Sequence, residues 1–411
     1  MMRGMGRPDR RRAMEPYVTG LLLDGDRKST QPMAMRLAKE REDAEALRQR
    51  LQQCVSISSW SDADLMARLA LKVDREMPDV NAFVVDDTGF PKKGTYSVGV
   101  ARQYSGTQGR VDNCQVAVSL HLAGRTGSAC IGMRLYLSEA WASDKKRRAS
   151  VGIPADIEFR TKWKLSLAQI EAALKDGVRP HVVLADAGYG DATAFRNGLE
   201  ALHLPYVVGV SGISTIWRPG VRPQARARGN VGRPPKRFVA AQPPVALHTF
   251  AKEQRPSAFK TVRWRAGTKG TMHARFFAAR VYSAERRTKA NCPKPTEQWV
   301  VIEATGEKTR PFKYFVSNLP AATSLKRLVS LIKLRWRVER DYQEMKQELG
   351  LDHFEGRSWR GFHHHATLCA VAHGFLALRR ALSPPILQND PMDPPYGAAL
   401  PSNLVDSTGA A

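Results

Sequence analysis

Two stretches decide how the chain reads: Ala82-Phe83-Val84-Val85-Asp86-Asp87 and His181-Val182-Val183-Leu184-Ala185-Asp186. Both are short apolar runs rich in β-branched residues, without the alternation of a half-exposed strand. Each therefore reads as a strand buried on both faces. Each also ends in aspartate. A carboxylate at the end of a central strand is rigidly held, which suits catalysis. A turn after a strand also favours Asp for its own sake, because its side chain bonds the following backbone. Taken singly, neither Asp establishes chemistry.

Working outward, residues 96–101 and 114–122 are β-rich and separated by Gly-containing turns, which suggests an antiparallel meander with the first strand. Residues 161–175 read as a helix ended at Gly177, residues 192–203 as another, and 206–210 as a further strand. Strands alternating with helices imply a sheet covered by helices, so the fold class is α/β. Upstream, residues 39–55 and 62–73 have helical texture, and Pro78 closes that region. Downstream, strands are expected at 259–264, 274–282, 299–304 and 314–317, after a loop at 217–238 with seven basic and no acidic residues. A long helix is expected from Thr323 to about Leu349, and a last one over 362–381. The tail from Pro384 has six Pro and no Lys or Arg, a composition of disorder. The expected organisation is a helical N-terminal DNA-binding domain (1–78), a core in two parts (79–210 and 320–383), a β-rich insertion between them (211–319) and a disordered tail (384–411).

The 411 residues carry 64 Lys and Arg against 39 Asp and Glu, a net charge of +25. Such an excess bears on partners rather than fold, and it favours a polyanion, chiefly nucleic acid. A two-carboxylate glycosidase would have no use for it. The five cysteines are scattered and form no Cys-x-x-Cys pair, so neither a zinc ribbon nor a disulfide frame is indicated. The basic start is followed by too short an apolar stretch for a signal peptide, and no run reaches the ~20 apolar residues that span a bilayer. A cytoplasmic, nucleoid-associated protein is expected, with no membrane partner and no small-molecule substrate.

The helix around Arg335-Trp336-Arg337-Val338-Glu339 carries two stripes. Leu331, Leu334, Val338, Tyr342, Met345 and Leu349 form a core face. Arg335, Glu339 and Lys346 form a second stripe about 100° round the helix. One acid between two bases suits a groove for phosphate, with Glu339 on a metal and Arg335 and Lys346 on DNA. A solvated face with an ordinary Arg335–Glu339 pair has the same spacing.

Arg335-Trp336-Arg337-Val338-Glu339 with Lys346 resembles the third-acid signature of bacterial insertion-sequence transposases, in the branch with a ribonuclease-H-like core and a β-rich insertion. Asp87-Thr88 resembles the first acid of that branch and Asp186-Ala187-Gly188-Tyr189 the second. Longer strings are similar to a narrower group, the IS701 type: residues 86–94 (DDTGFPKKG), 135–137 (LYL), 350–357 (GLDHFEGR) and 363–368 (HHHATL). The likeness covers about residues 15–380. It implies a DDE transposase with Asp87, Asp186 and Glu339 as catalytic and metal-holding acids, working on paired ends as a homo-oligomer. One site would cut DNA at the terminal inverted repeats of the element and then join the freed 3′-hydroxyl to target DNA. Oxygen ligands favour Mg²⁺, with Mn²⁺ able to substitute, and two ions ~3.5–4 Å apart would serve both steps. A ribonuclease-H-like nuclease or resolvase would cut with the same acids without joining, and a non-catalytic DNA-binding relic would need none of them.

Two departures stand out. The branch has Tyr three residues before the Arg, where this chain has Ile332, and the first acid is doubled as Asp86-Asp87. Neighbouring strand side chains face opposite ways, so only one of the two serves, and the motif points to Asp87. Lys92 and Lys93, just past it, are candidate phosphate contacts. Arg233, Lys236 and Arg237, in a Gly- and Pro-rich segment, resemble a minor-groove arm and equally a solvated loop. His363-His364-His365 invites a metal reading, but consecutive helical residues diverge and no acid or Cys completes a site, so structural or DNA-contact roles are expected.

Overall fold

The computed structural model describes residues 8–106, 108–225, 238–267, 270–285, 296–306 and 311–382. Four helices come first: α1 (Pro8–Leu22), α2 (Thr30–Leu37), α3 (Asp43–Ser56) and α4 (Asp62–Glu76). Strands β1 (Val80–Pro91), β2 (Ala101–Ser105), β3 (Arg110–Gly124) and β4 (Ser128–Leu135) follow. Two short helices, α5 (Glu139–Ser143) and α6 (Lys145–Ser150), lead to α7 (Lys162–Lys175). Then come β5 (Val182–Ala185), α8 (Ala187–Gly190), α9 (Thr193–Ala201) and β6 (Tyr206–Val210). The β-rich segment holds β7 (Thr215–Trp217), β8 (Gln224–Ala225), β9 (Phe238–Val239), β10 (Val245–Ala246), α10 (Leu247–Glu253), β11 (Lys260–Gly267), β12 (Gly270–Ser283), β13 (Glu297–Ala304) and β14 (Phe312–Ser317). Helices α11 (Leu325–Leu334), α12 (Arg337–Gln343) and α13 (Trp359–Leu382) close the chain, with a π-helical turn at Glu344–Glu348.

β3 pairs antiparallel with β1 on one side and with β2 and β4 on the other, while β5 and β6 lie parallel to β1. The strands after Ser211 build no separate main sheet. β14 pairs antiparallel with β6, and β13, β12, β7 and β10 continue outward, giving a 12-stranded sheet with β11 also on β12. Among the described residues, only β8 and β9 pair apart from it. The chain thus returns from the β-rich segment beside β6 and passes directly into α11.

The strand residues sort by parity into two cores. Phe83, Val85, Val183 and Ala185 join Ile170 of α7 and Phe195 of α9 in the larger one, which also takes in α1, α3, α4 and α13. Ala82, Val84, Val182 and Leu184 join Leu328, Leu331 and Ile332 of α11 and Val338 of α12 in the other. The expected apolar runs are therefore buried on both faces, as their lack of alternation requires.

Three local expectations shift. β1 runs four residues past Asp87 instead of ending there, because its pairing with β3 continues to Pro91↔Cys114. Residues 96–100 form no strand, and the pairing begins at Ala101. The single long helix is broken. α11 stops at Leu334, α12 starts at Arg337, and the π-helical turn follows. No helix among the described residues is long and apolar enough to cross a membrane.

Candidate active site

The aspartate strands meet in register. β1 and β5 pair as Ala82↔Val182 and Val84↔Leu184, and Asp86 and Asp186 each lie two residues further on. Two residues restore the same face of a strand. Asp86 and Asp186 therefore continue the parity of Ala82, Val84, Val182 and Leu184, toward α11 and α12. Asp87 continues the parity of Phe83 and Val85, toward α7.

The side chains follow that division. Arg335 Nη1 donates to Asp86 Oδ2 at 2.9 Å, and its Nη2 donates to Glu339 Oε1 at 3.1 Å. One guanidinium thus joins the strand acid to the helix acid. Asp87 instead accepts from Lys162 Nζ at 2.9 Å, at the start of α7, and from the Tyr189 hydroxyl at 3.5 Å. Asp186 caps the turn after β5, its Oδ1 accepting from the Gly188 amide at 2.9 Å. That turn lies tight on β6. A Cβ on Gly209 would stand 2.9 Å from the Ala187 nitrogen. The bare backbone of Gly209 lets the Asp186 turn close down there.

Exposure separates the acids. The side chain of Asp86 is 17% exposed and that of Glu339 54%. Burial pushes the Asp86 carboxyl up, the Arg335 charge draws it down, and Asp186 pushes it up again, leaving it at about 7. Burial is the larger influence, and the guanidinium in contact offsets it only in part. Among the described residues no three His, Cys, Asp or Glu side chains converge to hold a metal ion as they stand. The chemistry of the donors nevertheless fits a hard cation: oxygen ligands only, with a second carboxylate, Asp186, close enough to Asp86 to push its pKa up.

The expected DNA contacts divide. Lys93 is exposed. Lys92 Nζ donates inward to the Phe354 carbonyl at 2.8 Å, and burial lowers its pKa. Lys346 Nζ donates to the Gly89 carbonyl at 2.8 Å, and burial draws it down to about 8. Both lysines tie β1 to the segment after Glu339. Arg233, Lys236 and Arg237 lie outside the described residues. The three histidines are buried in α13. His363 Nδ1 bonds the Trp359 carbonyl at 2.9 Å, His364 stacks on Trp60 at 3.8 Å between ring centroids, and His365 takes the Tyr17 hydroxyl at 2.9 Å. Cys54, Cys114, Cys130 and Cys369 are free and buried, and burial raises each thiol. Lys162 and Gly209 carry no signal in the sequence, because their contacts with the acids are set by packing between distant segments.

A large mixed α/β sheet with acids on adjacent strands, and a helix laying Arg and Glu against them, defines an acidic site lined with basic groups. The chain belongs to the DDE superfamily endonucleases, whose family model matches residues 1–271. That match takes in both aspartate strands and stops short of Glu339. The chain is also 31% identical over 147 residues to a probable transposase for insertion sequence element IS701 from Microchaete diplosiphon. This stretch is 36% of the chain and only 35% of that relative. Among solved structures, a Mos1 transposase paired-end complex with left transposon end aligns with 49% of this chain and 59% of its own, at 16% identity. Its TM-score of 0.18 is too low to bear on the fold.

Proposed function

We propose that the chain is an insertion-sequence transposase that cleaves DNA at the ends of its element and joins them to target DNA. The observation that carries this is the in-register pair Asp86 and Asp186, with Arg335 linking Asp86 to Glu339. The strand order β4-β3-β1-β5-β6, antiparallel then parallel, supports a ribonuclease-H-like core. Residues 1–78 and 211–319 would be its helical N-terminal domain and β-rich insertion.

In this reading Asp86, Asp186 and Glu339 hold Mg²⁺, or Mn²⁺ in its place, as two ions. The first acid then lies one residue before the motif's Asp87, whose charge Lys162 already balances. When bound, such cations supply Lewis-acid stabilisation of the scissile phosphate and leaving oxygen. The chain's own residues do the rest. Asp86 and Asp186 form the fixed wall, one on a paired strand and the other capping the turn directly after one. Arg335 keeps Asp86 and Glu339 together in the DNA-free protein. When an incoming phosphate takes its planar fork, both carboxylates are freed for cations. Lys93 offers a further phosphate contact. The +25 charge draws in DNA, both element ends and target, where the protein works as a homo-oligomer in the cytoplasm.

The deciding experiment incubates the purified chain with labelled ends of its element, a target plasmid and Mg²⁺. Nicking that exposes a 3′-hydroxyl, followed by joined products, is expected. Nicking without joining would identify a nuclease instead, and binding without nicking a non-catalytic relic.

A further inference from the structure

Glu339 sits on a helix that its own backbone does not fix. Just before it the bonds are tight: the Trp336, Val338 and Glu339 amides donate three residues back, to Lys333, Arg335 and Trp336. Just after α12 the turn is wide, with the Leu349 amide reaching Glu344 five residues back at 3.2 Å. A seven-residue helix between a tight turn and a π turn has a broken ladder at both ends, the usual mark of a hinge or a functional site. Its rotation about its axis must be set by side chains.

The back of α12 carries them. Asp341 is about 200° round the helix from Glu339 and is buried. Its Oδ2 lies 2.7 Å from His121 Nδ1, its Oδ1 accepts from Ser128 Oγ at 2.6 Å, and His373 Nε2 is 3.6 Å away. His121 Nε2 is 2.9 Å from Ser119 Oγ, which meets the Tyr342 hydroxyl at 2.5 Å. Ser119 is the cross-strand partner of Asp86 and lies 3.5 Å from its carbonyl oxygen. A continuous polar chain thus runs from the back of the Glu339 helix to the backbone of Asp86. The reaction proposed above uses none of these groups. A buried carboxylate is costly unless paired and bonded, and a hydrogen-bonded network of this kind fixes one arrangement among several.

We infer that Asp341 and Tyr342, through His121 and Ser119, are positioning residues that set the rotation of α12 and so aim the Glu339 carboxylate at the site of Asp86. This rests on the reading of Glu339 as a metal-holding acid. Groups that orient a ligand from behind commonly change metal affinity or activity by about tenfold or more when removed.

The test uses the full chain and the variants Tyr342→Phe, Asp341→Asn, Glu339→Ala and, as control, the exposed Gln347→Ala. Mn²⁺ binding is measured by calorimetry without DNA, with thermal melting alongside, and Mn²⁺ dependence of end cleavage follows. Tyr342→Phe should melt near the wild-type temperature. It should bind Mn²⁺ several-fold more weakly, and half-maximal cleavage should need correspondingly more Mn²⁺, while Gln347→Ala matches wild type. Asp341→Asn should behave likewise wherever it is folded. A purely structural role would lower the melting temperature and leave the Mn²⁺ dependence of the folded protein unchanged. A folded Tyr342→Phe with wild-type Mn²⁺ binding and dependence overturns the inference. If Glu339→Ala itself binds Mn²⁺ like wild type, the assignment of Glu339 fails and takes this inference with it. If only Glu339→Ala is weakened, the positioning role alone fails.

Discussion

The two strand acids and the helix acid are held in different ways. Asp86 stands on β1, paired there with Ser119 of β3, and Asp186 caps the turn directly after β5, a strand paired on both sides. Glu339 is more exposed, on a short helix bounded by irregular turns and held from behind by Asp341, Met345 and α13. The strand half is rigid because moving Asp86 would break the β1–β3 ladder, and moving Asp186 would break its cap bond to Gly188 in a turn packed on Gly209. The helix half is adjustable because its place depends on side chains. The proposed uptake of DNA and cations would use both: a fixed wall to define the geometry and a movable member to close it.

The largest effects test whether the halves work as one. Asp186→Ala and Glu339→Ala should each cut cleavage by at least about a thousandfold, since each loses several kcal/mol of charge stabilisation. Duplex affinity in gel-shift titrations should stay close to wild type. Retained cleavage in Glu339→Ala would remove the helix half from the site.

The next contrast sits inside the strand half. Asp86→Asn should be as damaging as Asp186→Ala. Asp87→Asn, which leaves the Lys162 charge without its partner, should keep cleavage within about tenfold of wild type, as loss of a part-buried ion pair is a moderate effect. The opposite ranking in the same nicking assay would break the assignment by face and return the role to Asp87.

Between the halves, Arg335→Lys should lose about tenfold in both nicking and joining despite its charge, because an ammonium cannot span two acceptors as a planar fork does. Arg335→Ala should lose more DNA-dependent activity yet bind Mn²⁺ without DNA more tightly. Unchanged Mn²⁺ binding in that variant would show that the guanidinium does not compete for the acids.

Acid should loosen the helix half first. Burial holds the His363 and His365 rings down to about 4, so they are neutral in the fold. In the unfolded chain they charge near their ordinary pKa of about 6.5. A group with a depressed pKa lends stability above its unfolded value that is lost as pH falls through its folded value. Stability should therefore drop between about pH 6.5 and pH 4, by up to about 3 kcal/mol per ring. Amide exchange in α13 and the Glu344–Glu348 turn should rise over this range before exchange in β1 and β5 does. Uniform exchange would mean the halves melt together.

The smallest effect concerns the clamp between them. Lys346→Met should destabilise the fold by about 1 kcal/mol, the worth of one part-buried hydrogen bond, in denaturant titrations. The salt dependence of DNA binding should not change, because the ammonium faces the Gly89 carbonyl. A shallower slope by about one unit would show that Lys346 reaches phosphate after all.

The sequence by itself determined the elements and the family. Short apolar runs without alternation and rich in β-branched residues read as strands buried on two faces, and β5 and β6 fall where that pattern puts them. The acids at 86, 87, 186 and 339, the Arg four residues before the last, and the long motif strings are all legible as residue types at fixed spacing. The tertiary structure decided which acid of the doubled pair lies against Arg335 and which against Lys162 of α7. Strand parity is visible in the sequence, but which face receives α11 and which receives α7 depends on packing between segments 249 and 75 residues apart, as Arg335–Asp86 and Lys162–Asp87 are. It also decided that Lys92 and Lys346 turn inward, and that the helix bearing Glu339 is broken. A helical pattern sets side-chain spacing, whereas the turns on either side are imposed by what α12 must reach: His121 and Ser128 on the sheet behind it. The physical reason is common to all three. Local sequence fixes the direction of a side chain relative to its own backbone, and only the packed partner fixes what lies in that direction.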